Sequence, residues 1–159
     1  MNAKMNRRHL GTASTLLVAL AIGACQSDRD LKEATEEANL AKAVYCMDLL
    51  ENQLDMETAD SACFAERYTQ HSPHVPDGRD AVVEFFTQRI ERFPESTIDI
   101  KRAVAKDDLV WIHLHSKRTR DSLGSAVIHI FRMEDGKFAE HWGVGQAVPE
   151  EAMHDNTMF

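Results

Sequence analysis

The dipeptide Asp135-Gly136 lies between two strand-like runs, Ser125–Met133 and Lys137–Val144. Asp-Gly favours a two-residue β-hairpin, because both turn positions need a positive φ angle. The chain is therefore predicted to contain an antiparallel sheet at this point. A two-residue turn also determines which residues face each other on one side of the hairpin, and we expect the pairs His129–Trp142, Phe131–Glu140 and Met133–Phe138.

Helical patterns precede the strands. Apolar residues recur every three or four positions over Leu40–Leu54, which is typical of an amphipathic helix. A second, short helix is predicted over Thr58–Glu66, and a third between Gly78 and Pro94. Two more strand-like runs follow it, Thr97–Ala105 and Leu109–Lys117. Three helices followed by an antiparallel meander predict an α+β fold with the helices packed on one face of a curved sheet.

The first 24 residues differ in composition from the rest of the chain. They open with basic residues, and the 15 residues Leu10–Ala24 carry no charge. A spanning helix needs roughly 20 apolar residues, so this run is typical of a signal peptide. Small residues directly before Cys25 resemble a bacterial lipobox, whose cysteine is acylated and becomes the new N-terminus. The alternative is a short signal anchor with an incidental cysteine.

The sequence is thus divided into a lipoprotein signal peptide (1–24), an acylated Cys25 with a polar tether (25–39) and a domain (40–159). Several acyl chains would anchor the protein stably to a membrane. Gln26 stands where inner-membrane lipoproteins often carry Asp. We therefore expect a lipid-anchored protein on the periplasmic side of the bacterial cell envelope, with the outer membrane preferred.

The net charge indicates which partners the protein can bind, and the cysteine content bears on the cellular compartment in which it folds. Asp and Glu total 26 against 18 Lys and Arg, which argues against nucleic acid as a partner. Cys46 and Cys63 would lie in an oxidising compartment and could form one disulfide. The alternative is a pair of buried thiols, since free cysteine packs as a small apolar residue.

Two segments carry a family resemblance. Residues 68–78, followed by Phe85-Phe86, and residues 130–142 resemble SnoaL-like proteins, the polyketide-cyclase-like members of the nuclear-transport-factor-2-like superfamily. The resemblance implies a cone-shaped roll of three helices against a strongly curved antiparallel sheet. It also implies a pocket for a small, mostly apolar molecule, no cofactor, and a homodimer that forms through the sheet.

The resemblance implies an enzyme only in part. SnoaL-like cyclases catalyse an intramolecular aldol condensation. This reaction needs a base that removes a proton from the carbon beside a carbonyl, and a hydrogen-bond donor that stabilises the resulting enolate. The family's acid/base is an aspartate near the end of the last strand. Gly143–Val148 contains no carboxylate. A cofactor-independent aldol cyclase or isomerase therefore remains one hypothesis, without its usual catalytic residue.

Histidines are the remaining candidates for acid/base chemistry. His113 and His115 alternate along one strand, so they share a face, and a neutral imidazole can act as a base near pH 7. We take both as the candidate catalytic residues. The expected pocket residues are His71, His129, Trp142 and Gln146.

Three other interpretations stay open. His113 and His115 could be a polar pair satisfied on a half-exposed strand. With His71 or His74 they could instead bind Zn²⁺ through three nitrogens, although no metal residue is assigned. The domain could also be a non-catalytic module of the cell envelope that binds a ligand or dimerises, because one fold hosts many functions.

The lipobox predicts that Cys25→Ser abolishes membrane attachment, because serine cannot receive the thioether-linked lipid. Intact mass spectrometry of the membrane fraction should show a wild-type protein that begins at acylated Cys25. Ser27→Ala is the matched control and should remain attached. A mature protein that begins elsewhere, or a processed C25S protein that stays in the membrane fraction, would contradict the prediction.

Overall fold

The computed structural model describes residues 13–159, with side chains from residue 27 onward. Its elements in chain order are helix α1 (Ala13–Asp48), a π-helical turn (Leu49–Gln53), α2 (Met56–Cys63), β1 (Phe64–Gln70), α3 (Arg79–Arg92), β2 (Thr97–Lys106), β3 (Leu109–Lys117), β4 (Ser125–Glu134) and β5 (Lys137–Ala147). The predicted α+β fold class is confirmed.

The N-terminal predictions fall largely outside this description. The signal peptide at 1–24 and the acylation at Cys25 concern residues whose side chains are not described. The predicted tether, 25–39, lies within helix α1. Of the described residues, 13–34 belong to one compact unit, and Thr35–Phe159 form another that holds every described strand. Among the described residues, no helix combines the length and hydropathy needed to cross a bilayer.

The sheet has five strands in the order β1-β5-β4-β3-β2. Strand β1 runs parallel to β5, and the other pairs are antiparallel. The sheet is therefore mixed, whereas four antiparallel strands were expected. The predicted second helix, Thr58–Glu66, overlaps the start of β1, since α2 ends at Cys63 and Phe64–Gln70 form a strand. Phe64 and Tyr68 are four residues apart and fit either a helix or a strand. Pairing with the distant β5 decides for the strand.

The Asp135-Gly136 hairpin forms as predicted, with φ of 51° and 71°. Met133 pairs with Phe138, also as predicted, but the next pair is Arg132 with Glu140. Ala139 is therefore an extra residue, a β-bulge.

The bulge overturns the other two expected pairs. His129 lies opposite Gly143 rather than Trp142, and Phe131 lies opposite His141 rather than Glu140. Because side chains alternate along a strand, a shift of one residue moves each following side chain to the other face of the sheet.

The core lies between the helices and the inner face of the sheet. Fully burying one large apolar side chain contributes about 1.5–3 kcal/mol. The helices and the π-helical turn bury Ala43, Cys46, Met47, Leu49, Leu50, Ala59, Cys63 and Val82. The strands bury Phe64, Tyr68, Ile98, Val110, Ile112, Leu114, Phe131, Met133 and Phe138.

A disulfide joins Cys46 of α1 to Cys63 at the end of α2, with the Cα atoms 5.6 Å apart. This is the pair expected from the sequence. Both cysteines are fully buried, so the bond fixes α2 against α1 at the point where the chain enters β1. A cross-link of this kind stabilises chiefly by restricting the unfolded chain.

Candidate functional site

A cavity of about 420 Å³ lies between the helices and the inner face of the sheet. Its apolar end includes the buried residues Met47, Leu50, Phe64 and Phe138. More exposed residues line it elsewhere, among them Ser116, Arg118, Ser122, Gly124 and Ser125. The wall also contains Ser72 and a group of larger polar and titratable residues: Glu51, Tyr68, Gln70, Arg89, His129 and His141. Such a cavity fits a mostly apolar molecule and can hold its functional groups against acids and bases.

Two histidines contact each other in the wall of this cavity. Nδ1 of His129, on β4, lies 2.8 Å from Nε2 of His141, on β5. His141 pairs with Phe131, so it is the diagonal neighbour of His129 on the inner face. The bulge at Ala139 produces this contact, because without it His141 would point outward.

Hydrogen bonds at Gln70 determine the tautomer of His141. The backbone N–H of Ser72 donates to Gln70 Oε1 at 2.9 Å, so that atom is an acceptor. Nδ1 of His141 lies 2.8 Å from the same oxygen and must therefore carry the proton. Nε2 of a neutral His141 then accepts from Nδ1–H of His129.

This arrangement leaves Nε2 of His129 unprotonated on a residue that lines the cavity. No hydrogen bond joins that nitrogen to any protein group in the described part of the chain. The lone pair of Nε2 makes His129 a candidate general base.

Burial keeps both histidines neutral. It is the main cause that lowers the pKa of His129 to about 3, and the neighbouring His141 and Arg89 lower it further. Burial also lowers the pKa of His141 to about 4, with a smaller contribution from His71. An imidazolium would lose most of its hydration here, and it would face other cations.

Tyr68 supplies a hydrogen-bond donor in the same cavity. Nε2 of Gln70 donates to the Tyr68 hydroxyl oxygen at 3.2 Å, which leaves the hydroxyl hydrogen to be donated elsewhere. Burial raises the pKa of Tyr68, so the phenol stays protonated at neutral pH. A protonated tyrosine can stabilise a negative oxygen on a bound molecule.

Gly143 provides the space that the histidine pair occupies. A Cβ atom at this position would lie 2.9 Å from Ser72 Oγ, 3.2 Å from His141 Cε1 and 3.3 Å from His141 Nε2. A side chain here would require Ser72 Oγ to shift and the His141 ring to move by a few tenths of an ångström. The position after Trp142 is therefore tightly packed against the imidazole.

An ion pair forms another part of the wall. Arg89 Nη1, on α3, donates to Oε1 of Glu51 at 2.5 Å. Glu51 is 5% exposed and comes from the π-helical turn. Turns of this type are frequent at functional sites.

The structure places His113 and His115 on the outer face of the sheet, so the expectation that they act in the cavity is wrong. Their neighbours Ile112 and Leu114 are fully buried, and alternation turns the two histidines away from the core. Nδ1 of His113 lies 2.9 Å from Nη1 of Arg102. Nε2 of His115 lies 2.7 Å from the Leu123 carbonyl oxygen, and both rings stack on Phe159.

Of the four expected pocket residues, only His129 lines the cavity. Trp142 was expected inside, but the bulge turns it outward, where its ring stacks on His71 at 4.7 Å. His71 also contacts Glu140 through Nε2 at 2.8 Å. Gln146 shares the outer face with Trp142 and is exposed. Three of the four placements are therefore wrong.

The zinc alternative finds no support in the geometry. Within residues 27–159, no group of three or more His, Cys, Asp or Glu side chains is arranged to hold a metal ion. The set of His113 and His115 with His71 or His74 is not brought together.

Among the wall residues that sequence reasoning missed are Glu51, Tyr68, Gln70, Arg89 and His141. Recognising β1 as a strand would have placed Tyr68 and Gln70 on one face, because they are two residues apart. In the sequence, Glu51 and Arg89 are charged residues beside the apolar stripe of a predicted helix. Charged residues are common at such positions on solvated helix faces, so the sequence does not mark these two as cavity residues.

Comparison with known proteins supports the same architecture. A profile of the SnoaL-like domain family matches residues 46–141. No curated protein matches the chain.

Solved structures share the fold at low sequence identity. A protein from Kribbella flavida DSM 17836, provisionally named a ketosteroid isomerase, has a TM-score of 0.61 and 14% identity over 77% of this chain and 91% of that one. A provisionally named polyketide cyclase from Acidithiobacillus ferrooxidans has a TM-score of 0.60 and 15% identity, over 68% and 87%. A SnoaL-like protein of unknown function from Burkholderia thailandensis E264 has a TM-score of 0.56 and 14% identity, over 67% of this chain and 94% of that one. At these identities the likeness shows the fold alone.

The neutral histidine pair predicts a pH-dependent stability. Below about pH 6.5 the unfolded chain binds protons that folded His141 and His129 do not bind until about pH 4 and 3. The free energy of unfolding should therefore decrease as the pH falls from about 6.5 toward 4. His141→Gln removes one of these groups and should reduce the slope by up to about 1.4 kcal/mol per pH unit.

Urea denaturation at several pH values between about 7.5 and 4.5 measures this slope. His154→Gln is the matched control, since His154 is exposed, and it should leave the slope unchanged. Equal slopes in wild type and H141Q would show that His141 takes up its proton in the folded state as readily as in the unfolded chain.

Proposed function

The chain belongs to the SnoaL-like domain family, and from this premise we propose that its cavity binds a small, mostly apolar molecule and moves a proton on it without a cofactor. His129 is the proposed base and Tyr68 the proposed donor. The observation that carries the proposal is the contact of 2.8 Å between Nδ1 of His129 and Nε2 of His141 in the cavity wall, which assigns the proton of His129 to Nδ1.

The proposed step is the removal of a proton from a carbon beside a carbonyl. The proton goes to Nε2 of His129, and the electron pair of the C–H bond moves to the carbonyl oxygen as an enolate. The hydroxyl of Tyr68 donates to that oxygen. His129 then returns the proton, either to another carbon in an isomerisation or to the new alkoxide in an aldol cyclisation.

The lowered pKa of His129 limits which protons it can remove. A base with a pKa of about 3 has little driving force against a simple ketone. A carbon flanked by two carbonyls is far more acidic, and its enolate spreads the negative charge over two oxygens. We therefore expect a substrate of the β-dicarbonyl type rather than an isolated ketone.

A non-catalytic binding module is the second candidate. Gly143–Val148 lacks a carboxylate, and the low pKa of His129 also suits a neutral hydrogen-bond acceptor. In that case the molecule binds in the same cavity and leaves unchanged. Proton exchange distinguishes the two candidates, because only the enzyme accelerates it.

Exchange of the acidic C–H of ethyl 2-oxocyclohexanecarboxylate in D₂O, followed by ¹H NMR, tests the proposal. Wild type should accelerate exchange of this β-keto ester and leave cyclohexanone unaffected. His129→Gln should lower the enzymatic rate by about 10²-fold or more, because it removes the base. Tyr68→Phe should also lower it by about 10²-fold, because the enolate loses a donor.

His113→Gln tests the rival position for the base. If H113Q loses exchange while H129Q keeps it, the reaction takes place on the outer face and the proposal is overturned. If the ester binds and no variant or wild type accelerates exchange, the domain is a binding module.

We also propose that the domain is anchored to the cell envelope through Cys25. The support is the N-terminal sequence, with its uncharged run and small residues before the cysteine. An anchored domain would sample molecules that partition into or near the membrane, which suits an apolar cavity.

A homodimer through the outer face of the sheet is a further proposal. Apolar side chains are exposed on this face, with Val104 57% exposed, Ile128 46% and Val144 76%. Ile128 and Val144 are direct cross-strand neighbours. Contiguous exposed apolar residues commonly mark an interface.

Sedimentation velocity of wild type and Val144→Lys tests the dimer. The charged residue should convert a dimer to a monomer, because a buried lysine at the interface would lose its hydration. Met153→Lys is the control, since Met153 is exposed and lies beyond β5. A wild-type monomer at micromolar concentration would contradict the proposal.

A further inference from the structure

One oxygen of Glu51 is buried and has no hydrogen-bond partner. Oε1 of this carboxylate accepts from Arg89, whereas Oε2 has no partner within the part of the chain that the structure describes. Leaving a charged oxygen unpaired in a buried position is unfavourable, because its hydration is lost without replacement. The oxygen therefore needs a donor from outside the protein.

The π-helical turn places Glu51 in the cavity wall. Three consecutive residues of the turn, Leu49, Leu50 and Glu51, are buried. Successive side chains of a regular α-helix are about 100° apart, so three in a row seldom share one face. Leu50 and Glu51 both line the cavity.

Two other side chains hold the turn in place. Asn52 Oδ1 accepts from the backbone N–H of Ile98 at 2.8 Å. Its amide, together with that of Gln53, donates to Asp48, and these bonds lower the pKa of the Asp48 carboxyl. Glu51 thus lies between residues that are held by hydrogen bonds, Asp48 before it and Asn52 and Gln53 after it.

Charge decides which kind of donor fits. Glu51 and Arg89 form an ion pair, so a charged ligand group would be attracted by one partner and repelled by the other. Such a group would lose its hydration in the cavity without a full counter-charge to replace it, which is unfavourable. A hydroxyl group provides a hydrogen and carries no charge.

We infer that Oε2 of Glu51 accepts a hydrogen bond from a hydroxyl group of the bound molecule, so that the cavity selects alcohols or phenols with an apolar body. This inference rests on the proposed binding function and adds a substrate class to it. Glu51 is then a specificity-determining residue, and His129 and Tyr68 act on another part of the same molecule.

Two probes of similar shape test the inference: 2-naphthol, which carries the hydroxyl, and 2-methoxynaphthalene, which lacks only the donor hydrogen. Isothermal titration of the full chain at pH 7 should show that 2-naphthol binds at least about tenfold more tightly, because the ether leaves Oε2 unpaired. Glu51→Gln keeps an oxygen for Arg89 and places an NH₂ group at Oε2. Its preference for 2-naphthol should fall to about twofold or less.

Glu84→Gln is the matched control. Glu84 is an exposed carboxylate on α3 that is hydrogen-bonded to Gln88, and its replacement should leave both affinities unchanged. A second measurement needs no variant: the ¹³C shift of the Glu51 carboxyl should move on addition of 2-naphthol and stay in place on addition of the ether.

The outcomes separate this inference from the proposed function. If neither probe binds wild type, the binding function itself fails. If both bind equally, or if E51Q keeps the full preference, an ordered water satisfies Oε2 and the inference is overturned. It is also overturned if His129→Phe removes the preference and E51Q does not, because the hydroxyl would then donate to His129.

Discussion

The candidate site depends on one extra residue in a β-strand. The bulge at Ala139 reverses the faces of β5 beyond it, so that His141 enters the cavity and Trp142 leaves it. Without the bulge, an indole would stand where the imidazole contacts His129, and Gly143 would point away from the cavity. Bulges are known to re-aim side chains beside functional sites, and here the re-aimed residue completes a polar chain from Tyr68 to His129.

Burial gives that polar chain its chemical character. Each imidazole is neutral because the cavity wall cannot hydrate a cation, and neutrality forces a single direction on the hydrogen bonds that begin at Gln70. The same burial makes His129 a weak base. The site therefore combines an available lone pair with low basicity, which favours either an activated carbon acid or recognition without turnover.

The absence of a carboxylate after Trp142 has a structural counterpart. The ring of His141 lies within 3.3 Å of where a Cβ of residue 143 would be, so a side chain at this position would press against the imidazole. Glu51 brings a carboxylate into the cavity from a helix instead. The cavity of this chain thus holds two histidines, a tyrosine and a glutamate as its acids and bases, and fold alone does not specify the reaction.

Local sequence signals determined much of this protein. The Asp135-Gly136 turn, the helix that ends before Pro94 and the four later strands are set by backbone preferences and periodicity over a few residues, and all were predictable. Tertiary structure decided the rest. Strand β1 pairs with the parallel edge of β5, and the bulge at Ala139 shifts the register of β4 and β5 by one residue. No local pattern encodes either event, and a one-residue shift exchanges the faces of a sheet, so only the folded chain determines which histidines meet in the cavity.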